Sequence, residues 1–339
     1  MKKKLTINDI AKLAGVSRQT ISRVMNNKPE VNEKTRKQVL RIIEKHGFQP
    51  SLQAISMVTR KTNIIAVLLP DVANPFFAEI VRGIERTLRA NKLNVFLMTT
   101  EEDVELENKF IQLAQNYNVD GMILCSPRID EVNLRKLIPR IAPVVLLNRD
   151  LEVNGAACIV VDAHYGGYMA AKYLIEKGHS KIGIIVGPSR AFSNVQRLEG
   201  YKKALKDFGI SLEEELIMQE EADHEEVHKF TEQLVKKNVT AITTYNDIAA
   251  AHVIQACTDL NLKVPEDISV IGFDGIVMSQ FMNPTLTTMS IPLFEMGQTI
   301  ANTLIKMMKN ESFERLTTVY PILKEGNSAK SLVSLDTHP

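Results

Sequence analysis

Seven short apolar runs, each ending in turn or polar residues, recur along the chain from residue 63 onward. Amphipathic stretches with helical spacing separate the runs, and this alternation is typical of a parallel β-sheet covered by crossover helices. The chain has 339 residues, of which 45% are hydrophobic and 24% charged, so it can form two or three globular domains. The sequence therefore predicts a large α/β body, with strands near residues 64–69, 94–99, 121–126, 144–148, 182–187, 241–245 and 269–273.

The residues that follow these runs are mostly polar. Ligands of open α/β sheets bind beyond the carboxyl ends of the strands, so these positions are candidates for a binding site. After the first run, Asn74 is a predicted helix cap and Pro75 a predicted first helical residue, which puts Phe77 at a helix start. One edge of the sheet is expected to gather a polar set with one or two aromatic residues: Phe76, Phe77, Arg149, Asp150, Ser193, Arg197, Asn246, Asp247 and Asp274.

Residues 6–26 have a different character and read as two short helices joined by a tight turn at Gly15. The apolar residues of the second helix face inward. Its outward face carries Arg18, Gln19 and Arg23, and arginine side chains can donate paired hydrogen bonds to guanine edges. This is the pattern of a helix-turn-helix, whose second helix enters the major groove of DNA.

Capping residues predict the helix boundaries of this N-terminal segment. Thr6, with Asp9 in capping-box position, opens the first helix, and Ser17 opens the second. A third helix is expected over residues 32–45, begun by an asparagine cap and ended at Gly47. It completes a three-helix headpiece by packing through Val39, Leu40 and Ile43.

The charge distribution supports a DNA-binding headpiece. Residues 1–60 contain 13 Lys or Arg and 4 Asp or Glu, a net charge of +9, whereas the whole chain carries +1. Only this first part of the chain suits a polyanion, because the remainder is net acidic. Basic residues that merely solvate a small helical bundle are the alternative interpretation, and the charge asymmetry disfavours it.

Other sequence features limit the compartment and the chemistry. Polar residues interrupt any secretory signal after the first lysines, and no apolar run approaches the ~18 residues that span a bilayer, so a cytoplasmic protein is expected. No cofactor motif is present. The three cysteines are widely spaced among apolar neighbours, which favours inert core thiols over disulfides or a zinc cluster: Cys125, Cys158 and Cys257.

Several sequence blocks, in order, resemble the LacI/GalR family of bacterial transcription regulators from about residue 6 to residue 328. They are INDIAKLAGVSRQTISRVMN from residue 7, PDVANPFF from residue 70, VDGMIL from residue 119 and SVIGFD from residue 269. The resemblance implies an N-terminal all-α helix-turn-helix headpiece with a hinge helix, plus an α/β periplasmic-binding-protein-like core of two doubly wound parallel-sheet subdomains.

The resemblance also implies domain boundaries. The headpiece is expected over residues 1–49, the hinge helix and linker over 50–61, and the effector-binding and dimerisation core over 62–339. The chain would cross between the two subdomains near Asp162, near residues 290–292 and near Tyr320. The N-subdomain would then comprise about 62–162 and 292–320, and the C-subdomain about 163–290 and 321–339.

Roles for particular residues follow from the same resemblance. Arg18, Gln19 and Arg23 match positions that read bases, and the phosphate-contacting positions are Thr6, Ser17, Thr20 and Asn26. Paired hinge helices would enter the minor groove through Ala54 and Met57, the latter standing where the family has a wedging leucine. The hinge departs from the family at Ser51 and Ile55, which puts operator affinity and the central base step in question.

The family's effector-contacting positions are matched by Phe77, Arg149, Ser193, Arg197, Asn246 and Asp274. Such a set suits a hydroxylated ligand, because carboxylates accept from hydroxyls, guanidinium donates in a fork and an aromatic ring covers a sugar face. Alternatively, Arg197 and Asp274 form a buried structural pair and Phe77 belongs to the core. The expected protein is a homodimeric repressor of carbohydrate-metabolism genes that binds a palindromic operator and a sugar or sugar phosphate, with no membrane partner.

Three other functions compete with this prediction. A corepressor-dependent regulator that responds to a non-sugar metabolite would have the same sequence features. A transport-type sugar-binding protein would share the core, but it needs export and has no use for a basic headpiece. His224, Glu225 and His228 match the H-E-x-x-H motif of zinc hydrolases, but the stretch is acidic and no third ligand is evident, so an exposed helix start is the favoured interpretation.

Overall fold

The computed structural model describes residues 5–25, 28–48, 61–141, 143–188, 191–219 and 224–333. It divides the chain into two compact units, Met1–Thr62 and Asn63–Pro339. Among the described residues, no helix is both long and apolar enough to cross a bilayer. The predicted hinge, with Ser51, Ala54, Ile55 and Met57, lies outside the described residues, as does Asn26.

The first unit is a three-helix headpiece built on a small apolar core. Its helices are α1 (Ile7–Ala14), α2 (Arg18–Met25) and α3 (Glu33–His46). Thr6 and Asp9 form the predicted capping box, Asn32 caps α3, and Gly15 and Gly47 end α1 and α3 in the left-handed conformation that glycine tolerates. The core contains Ile10, Ala11, Ala14, Ile21, Val24, Val39 and Phe48.

One predicted packing residue of the third helix is wrong. Leu40 is 48% exposed, whereas Val39 is fully buried, and Ile42 and Ile43 pack against the same core. The spacing explains the difference, because residues three and four positions after Val39 share its face and the next residue in sequence points away.

The second unit contains two six-stranded sheets, which confirms the predicted α/β core of two subdomains. The first sheet has the order β11-β5-β4-β3-β1-β2, and all of its strands pair in parallel. Its strands are β1 (Ile64–Leu69), β2 (Asn94–Thr99), β3 (Gly121–Cys125), β4 (Val144–Leu147), β5 (Ala156–Val161) and β11 (Leu316–Val319). The helices in the same parts of the chain are α4 (Pro75–Ala90), α5 (Val104–Asn116), α6 (Glu131–Leu137) and α11 (Leu293–Met308).

The second sheet has the order β12-β10-β9-β8-β6-β7, and only β12 runs antiparallel to its neighbour. Its strands are β6 (Ile182–Val186), β7 (Ile217–Gln219), β8 (Ala241–Thr244), β9 (Ser269–Asp274), β10 (Thr287–Ser290) and β12 (Ile322–Lys324). Its helices are α7 (Ala163–Glu176), α8 (Phe192–Asp207), α9 (His224–Lys236) and α10 (Asp247–Asp259). The chain passes between the sheets after β5, after β10 and between β11 and β12.

The closest helix contacts depend on glycine. A Cβ atom at Gly167 of α7 would lie 2.2 Å from the Arg197 carbonyl oxygen of α8, and one at Gly200 would lie 2.0 Å from the His164 carbonyl oxygen. The first subdomain has an equivalent contact between α4 and α11, where a Cβ atom at Gly297 would lie 2.2 Å from the Ile80 carbonyl oxygen. Each subdomain therefore contains a helix pair that any larger side chain forces apart.

Candidate functional site

The exposed face of α2 is the candidate DNA-reading surface. Arg18, Gln19 and Arg23 are exposed, while Ile21 and Val24 are buried in the headpiece core. Gln19 and Arg23 are four residues apart and so lie on one face of the helix, with Arg18 next to them. The three side chains are thus free to meet base edges in a groove that admits a helix.

The hydroxyl groups predicted to contact phosphates are used as helix caps in the free headpiece. Ser17 Oγ accepts a hydrogen bond from the Thr20 amide at 3.0 Å and lies 2.9 Å from Thr20 Oγ1. Thr6 Oγ1 donates to Asp9 Oδ2 at 2.7 Å, and the Thr6 amide donates to the same oxygen at 2.9 Å. These hydroxyl groups therefore have protein partners in the described headpiece, and their contacts with phosphate stay a prediction.

A cleft opens where strands of both sheets end, with a volume of about 640 Å³ that includes its open mouth. Five of the six predicted effector-contacting residues line it: Phe77, Ser193, Arg197, Asn246 and Asp274. The first wall, from the chain before residue 162, contributes Asn74, Phe76, Phe77, Glu102, Ser126, Arg128, Asn148 and Val161. The second wall contributes Pro188, Ala191, Ser193, Asn194, Arg197, Tyr245, Asn246, Phe273 and Asp274, and Ile291 lies where the chain crosses over.

Arg197 is the cationic centre of the second wall and is only 6% exposed. Its guanidinium carbon lies 3.7 Å from the centroid of the Phe273 ring, and its Nη1 donates to Asn194 Oδ1 at 3.2 Å and to the Tyr245 carbonyl oxygen. Its Nε is buried without a hydrogen-bond partner among the described residues. A buried donor of this kind costs free energy until an acceptor reaches it, so Arg197 is prepared to bind a ligand oxygen.

Two buried carboxyl groups accompany this guanidinium. Burial raises the pKa of Asp274 well above its usual range, and the nearby Asp247 charge adds to this, while Arg197 opposes it. Asp247 accepts hydrogen bonds from Thr288 Oγ1 at 2.5 Å and from the Ile276 amide at 2.8 Å. Burial raises its pKa to about 6 although these hydrogen bonds act in the opposite direction. Among the described residues, no group donates a hydrogen bond to the Asp274 carboxylate, which leaves this acceptor for a ligand hydroxyl.

Helix starts complete the second wall. Asn246 caps α10 through its side-chain oxygen, which accepts from the Ala249 amide at 2.8 Å. Helix α8 begins at Phe192, the preceding Ala191 makes no side-chain cap, and Ser193 lies in the first turn. The first amides of α8 are therefore further donors for a ligand oxygen.

Arg149, the sixth predicted residue, does not line the cleft. Its Nη2 donates to the carbonyl oxygens of Pro127 and Ile129, each at 3.3 Å, and its guanidinium carbon lies 5.7 Å from the centroid of the Phe192 ring. Burial lowers its pKa. In this structure Arg149 holds the loop after β3, so its expected contact with an effector stays a prediction.

Comparison with known protein families covers nearly the whole chain. Residues 6–51 match the model of bacterial regulatory proteins of the lacI family, and residues 62–325 match that of periplasmic binding proteins and the sugar-binding domain of the LacI family. The chain belongs to the LacI family. It is therefore a DNA-binding transcriptional regulator, in a family that is not enzymatic.

Individual LacI-family proteins are similar to this chain over most of their lengths. The HTH-type transcriptional regulator DegA of Bacillus subtilis is 33% identical over 299 residues, which cover 87% of this chain and 88% of DegA. The ribose operon repressor of Haemophilus influenzae is 32% identical over 93% of this chain and 95% of its own length. The fold also matches the lac repressor dimer bound to operator and the anti-inducer ONPF, with a TM-score of 0.86 and 23% identity over 97% and 100% of the chains.

The LacI-family cleft also contains residues that the sequence analysis missed. Glu102, Arg128, Asn148 and Tyr245 all line it. Glu102 and Arg128 follow predicted strands within three residues, and Asn148 and Tyr245 are the last residues of predicted strands, so the strand-end rule, applied to every run, would have found them. Asn194 lies three residues before Arg197 and on the same helix face, which is a second usable signal.

The zinc-hydrolase pentad is a helix start, as the favoured interpretation has it. Helix α9 begins at His224, and Glu225 is exposed. His228 Nε2 lies 3.5 Å from Asp259 Oδ2 of α10. Within the described ranges, no group of three or more His, Cys, Asp or Glu side chains could hold a metal ion.

Proposed function

We propose that this LacI-family regulator is a homodimeric repressor of carbohydrate-metabolism genes, controlled by a sugar-like effector in the cleft. Arg18, Gln19 and Arg23 would read bases, while Thr6, Ser17, Thr20 and Asn26 contact phosphates and Ala54 and Met57 of the 50–61 hinge enter the minor groove. A protein that acts on chromosomal operators works in the cytoplasm. The headpiece, hinge and core boundaries at residues 49 and 61 belong to this proposal.

One observation carries the effector assignment. The cleft is lined by Arg197, whose buried Nε has no hydrogen-bond partner among the described residues, together with Asp274 and the aromatic residue Phe77. A sugar offers hydroxyl oxygens for the guanidinium, hydroxyl protons for the carboxylate and an apolar face for the ring. The name of the ribose operon repressor and the sugar-binding description of the matched domain are consistent with this chemistry.

Effector binding controls DNA binding only through a difference in affinity between two conformations. The chain crosses between the subdomains three times, so a ligand held by both walls changes their relative rotation, and the rotation is expected to reach the hinge helices. Coupling of this kind amounts to ~1–3 kcal/mol in known allosteric proteins, or about 5- to 150-fold in operator affinity. We expect an inducer to weaken operator binding by such a factor.

The first test is to recover genomic fragments that the purified protein holds at physiological salt and to sequence them. Enrichment of one palindrome is expected, and the neighbouring genes should encode carbohydrate enzymes or transporters. Recovery of random fragments alone would contradict sequence-specific repression by the free protein and would favour the corepressor-dependent alternative. A palindrome beside genes unrelated to carbohydrates would retain the repressor and remove the sugar.

A further inference from the structure

The described cleft walls carry two carboxylates and two guanidinium groups. Glu102 and Arg128 belong to the first wall, and Asp274 and Arg197 to the second. The arrangement bears on which effectors the cleft accepts, and any selectivity that it confers rests on the proposed effector role of this cleft.

Glu102 and Arg128 form a paired, pre-set group. Arg128 Nη2 donates to Glu102 Oε1 at 2.9 Å and its Nε donates to Glu102 Oε2, which is the two-pronged arrangement of a strong guanidinium–carboxylate pair. Its Nη1 donates to the Ser126 carbonyl oxygen at 2.7 Å. The Arg128 side chain is only 7% exposed. All three of its nitrogens therefore have protein acceptors, and its charge is compensated.

The backbone that presents Glu102 is strained. Glu101 and Glu102 have φ angles of 51° and 61°, the left-handed region that costs non-glycine residues about 1–2 kcal/mol each. Strain of this kind persists where surrounding contacts impose it, and it is common at functional sites. Here the Arg128 fork is the contact that holds the Glu102 carboxylate at the cleft.

The loop that carries Arg128 is itself held from behind. Buried Glu107 accepts hydrogen bonds from the Arg128 amide at 2.9 Å and the Ile129 amide at 3.2 Å, and Arg149 donates to two carbonyl oxygens of the same loop. Burial raises the pKa of Glu107, while these amides and the nearby Arg128 oppose the shift. Such support fixes Arg128 and Glu102 before any ligand arrives.

The positive charge of Arg197 on the second wall is also compensated by nearby carboxyl groups. Asp274 and Asp247 both lie close enough to Arg197 for their charges to oppose the lowering of its pKa by burial. With Asp247 ionised, this wall is neutral when Asp274 holds a proton and negative when it does not. The amide ends of α4 and α10 are already capped by Asn74 and Asn246, so of the three described helix starts at the cleft α8 alone keeps uncapped amides for a ligand oxygen.

We propose that the Glu102–Arg128 pair is a second polar subsite of the cleft, and that it makes the cleft select an uncharged polyhydroxylated effector over a phosphorylated one. A phosphate that reached Arg197 would also meet Asp274 and Asp247, and one that reached Arg128 would meet Glu102. Uncharged hydroxyls instead donate to the carboxylates and accept from the guanidinium groups without repulsion.

Calorimetric titration of the full-length protein with uncharged mono- and disaccharides, each matched to its own phosphate ester, tests the selection. At least one uncharged sugar should bind, and more than tenfold tighter than its ester. In Glu102→Gln, the Arg128 charge is no longer compensated. The ratio of the ester's dissociation constant to that of the uncharged sugar should therefore fall by about tenfold. Glu101→Gln is the matched control, because it removes the same charge from the adjacent left-handed residue outside the lining and should keep the wild-type preference.

A second variant tests whether the effect of Glu102→Gln comes from the lost charge or from a distorted loop. Glu102→Gln combined with Arg128→Gln exchanges a charged pair for a neutral one, and it should return the preference for uncharged sugars to within about threefold of wild type. Tighter binding of an ester by the wild-type protein, or an unchanged preference in Glu102→Gln, overturns the selection while leaving a sugar effector in place. If no sugar or ester binds, the sugar-effector function itself fails, and this subsite fails with it.

Discussion

At the scale of single residues, the second wall combines a buried cation with a carboxyl group that has no protein donor among the described residues. Arg197 keeps its orientation without a ligand, because it stacks on Phe273 and donates to Asn194. Asp274 depends on the ligand for its hydrogen bonds. The carboxyl group should therefore matter for effector binding and little for the fold.

We expect Asp274→Ala to abolish the effector response while operator binding is retained. The lost acceptor would have taken ligand hydroxyl protons, whereas the headpiece belongs to a separate compact unit. Operator gel shifts with and without a responsive sugar measure both properties. Asp259→Ala is the control, since Asp259 lies beside His228 on the surface, and it should respond normally. A normal response in Asp274→Ala would remove this residue from the site.

Asp247 should give the protein an unusual pH dependence. Its folded-state pKa, about 6, lies above the ordinary value of 3.8, so the folded state binds the proton more tightly than the unfolded chain does. The contribution of Asp247 to stability must then fall as the pH rises through about 6. Asp247→Asn cannot titrate. Urea unfolding measures the free energy of unfolding of the wild type and of this variant. The wild-type value minus the variant value should increase by about 1 kcal/mol from pH 7 to pH 5. A decrease in this difference would contradict the assignment.

At the scale of elements, α2 separates residues that read bases from residues that hold the helix. We expect Arg18→Ala to relax sequence preference at one operator position, by ~1–3 kcal/mol, because an exposed guanidinium adds little to headpiece folding. Competition titrations against operators with single base changes measure this loss. Arg41→Ala removes the same charge from the exposed surface of α3 and should weaken operator and random DNA equally. Identical effects of the two substitutions would refute base reading by Arg18.

The glycine contact between α7 and α8 links helix packing to the cleft. In Gly167→Ala, the new methyl group must displace the backbone at Arg197, so we expect a loss of about 1–3 kcal/mol in stability together with weaker effector binding. Gly297→Ala is the matched control, because it places a Cβ atom at the same distance, 2.2 Å, from a backbone carbonyl oxygen between α4 and α11, away from Arg197. Thermal unfolding and sugar titration of both variants separate the two effects. Equal losses of sugar affinity would mean that general destabilisation explains the result.

At the scale of the whole molecule, the sequence predicted seven of the twelve strands that the structure describes. The seven predicted runs all form strands, with ends that differ by at most one residue, because buried parallel strands read as continuous apolar segments. The strands β7, β10, β11 and β12 were not predicted. They are three or four residues long, and β10 and β11 are rich in threonine, so only pairing with a neighbour identifies them. β5 was also missed, although it is apolar and six residues long, because it follows β4 without a helix between them.

The site was predictable in composition but not in contacts. Family resemblance named five of the residues that line the cleft, and the strand-end positions also named Phe76. Neither signal could separate Arg149, which donates to backbone carbonyls of the loop after β3, from Arg128, which lines the cleft. The direction of a long side chain depends on the acceptors within its reach, and those come from loops far away in sequence.

Binding to a palindromic operator requires two headpieces, which a homodimer supplies. Val277, Met278 and Phe281 follow the end of β9 and are 59%, 57% and 74% exposed. They form an apolar patch that a twofold-related copy can cover.

We expect Phe281→Asp to raise the dimer dissociation constant at least tenfold, because two like charges would face each other across the axis. Operator affinity should fall with it, and most steeply at low protein concentration. Val132→Asp places the same charge on an apolar position of α6 that is 61% exposed, and sedimentation of both variants distinguishes a specific interface from general solubility. A dimeric Phe281→Asp protein would move the interface elsewhere.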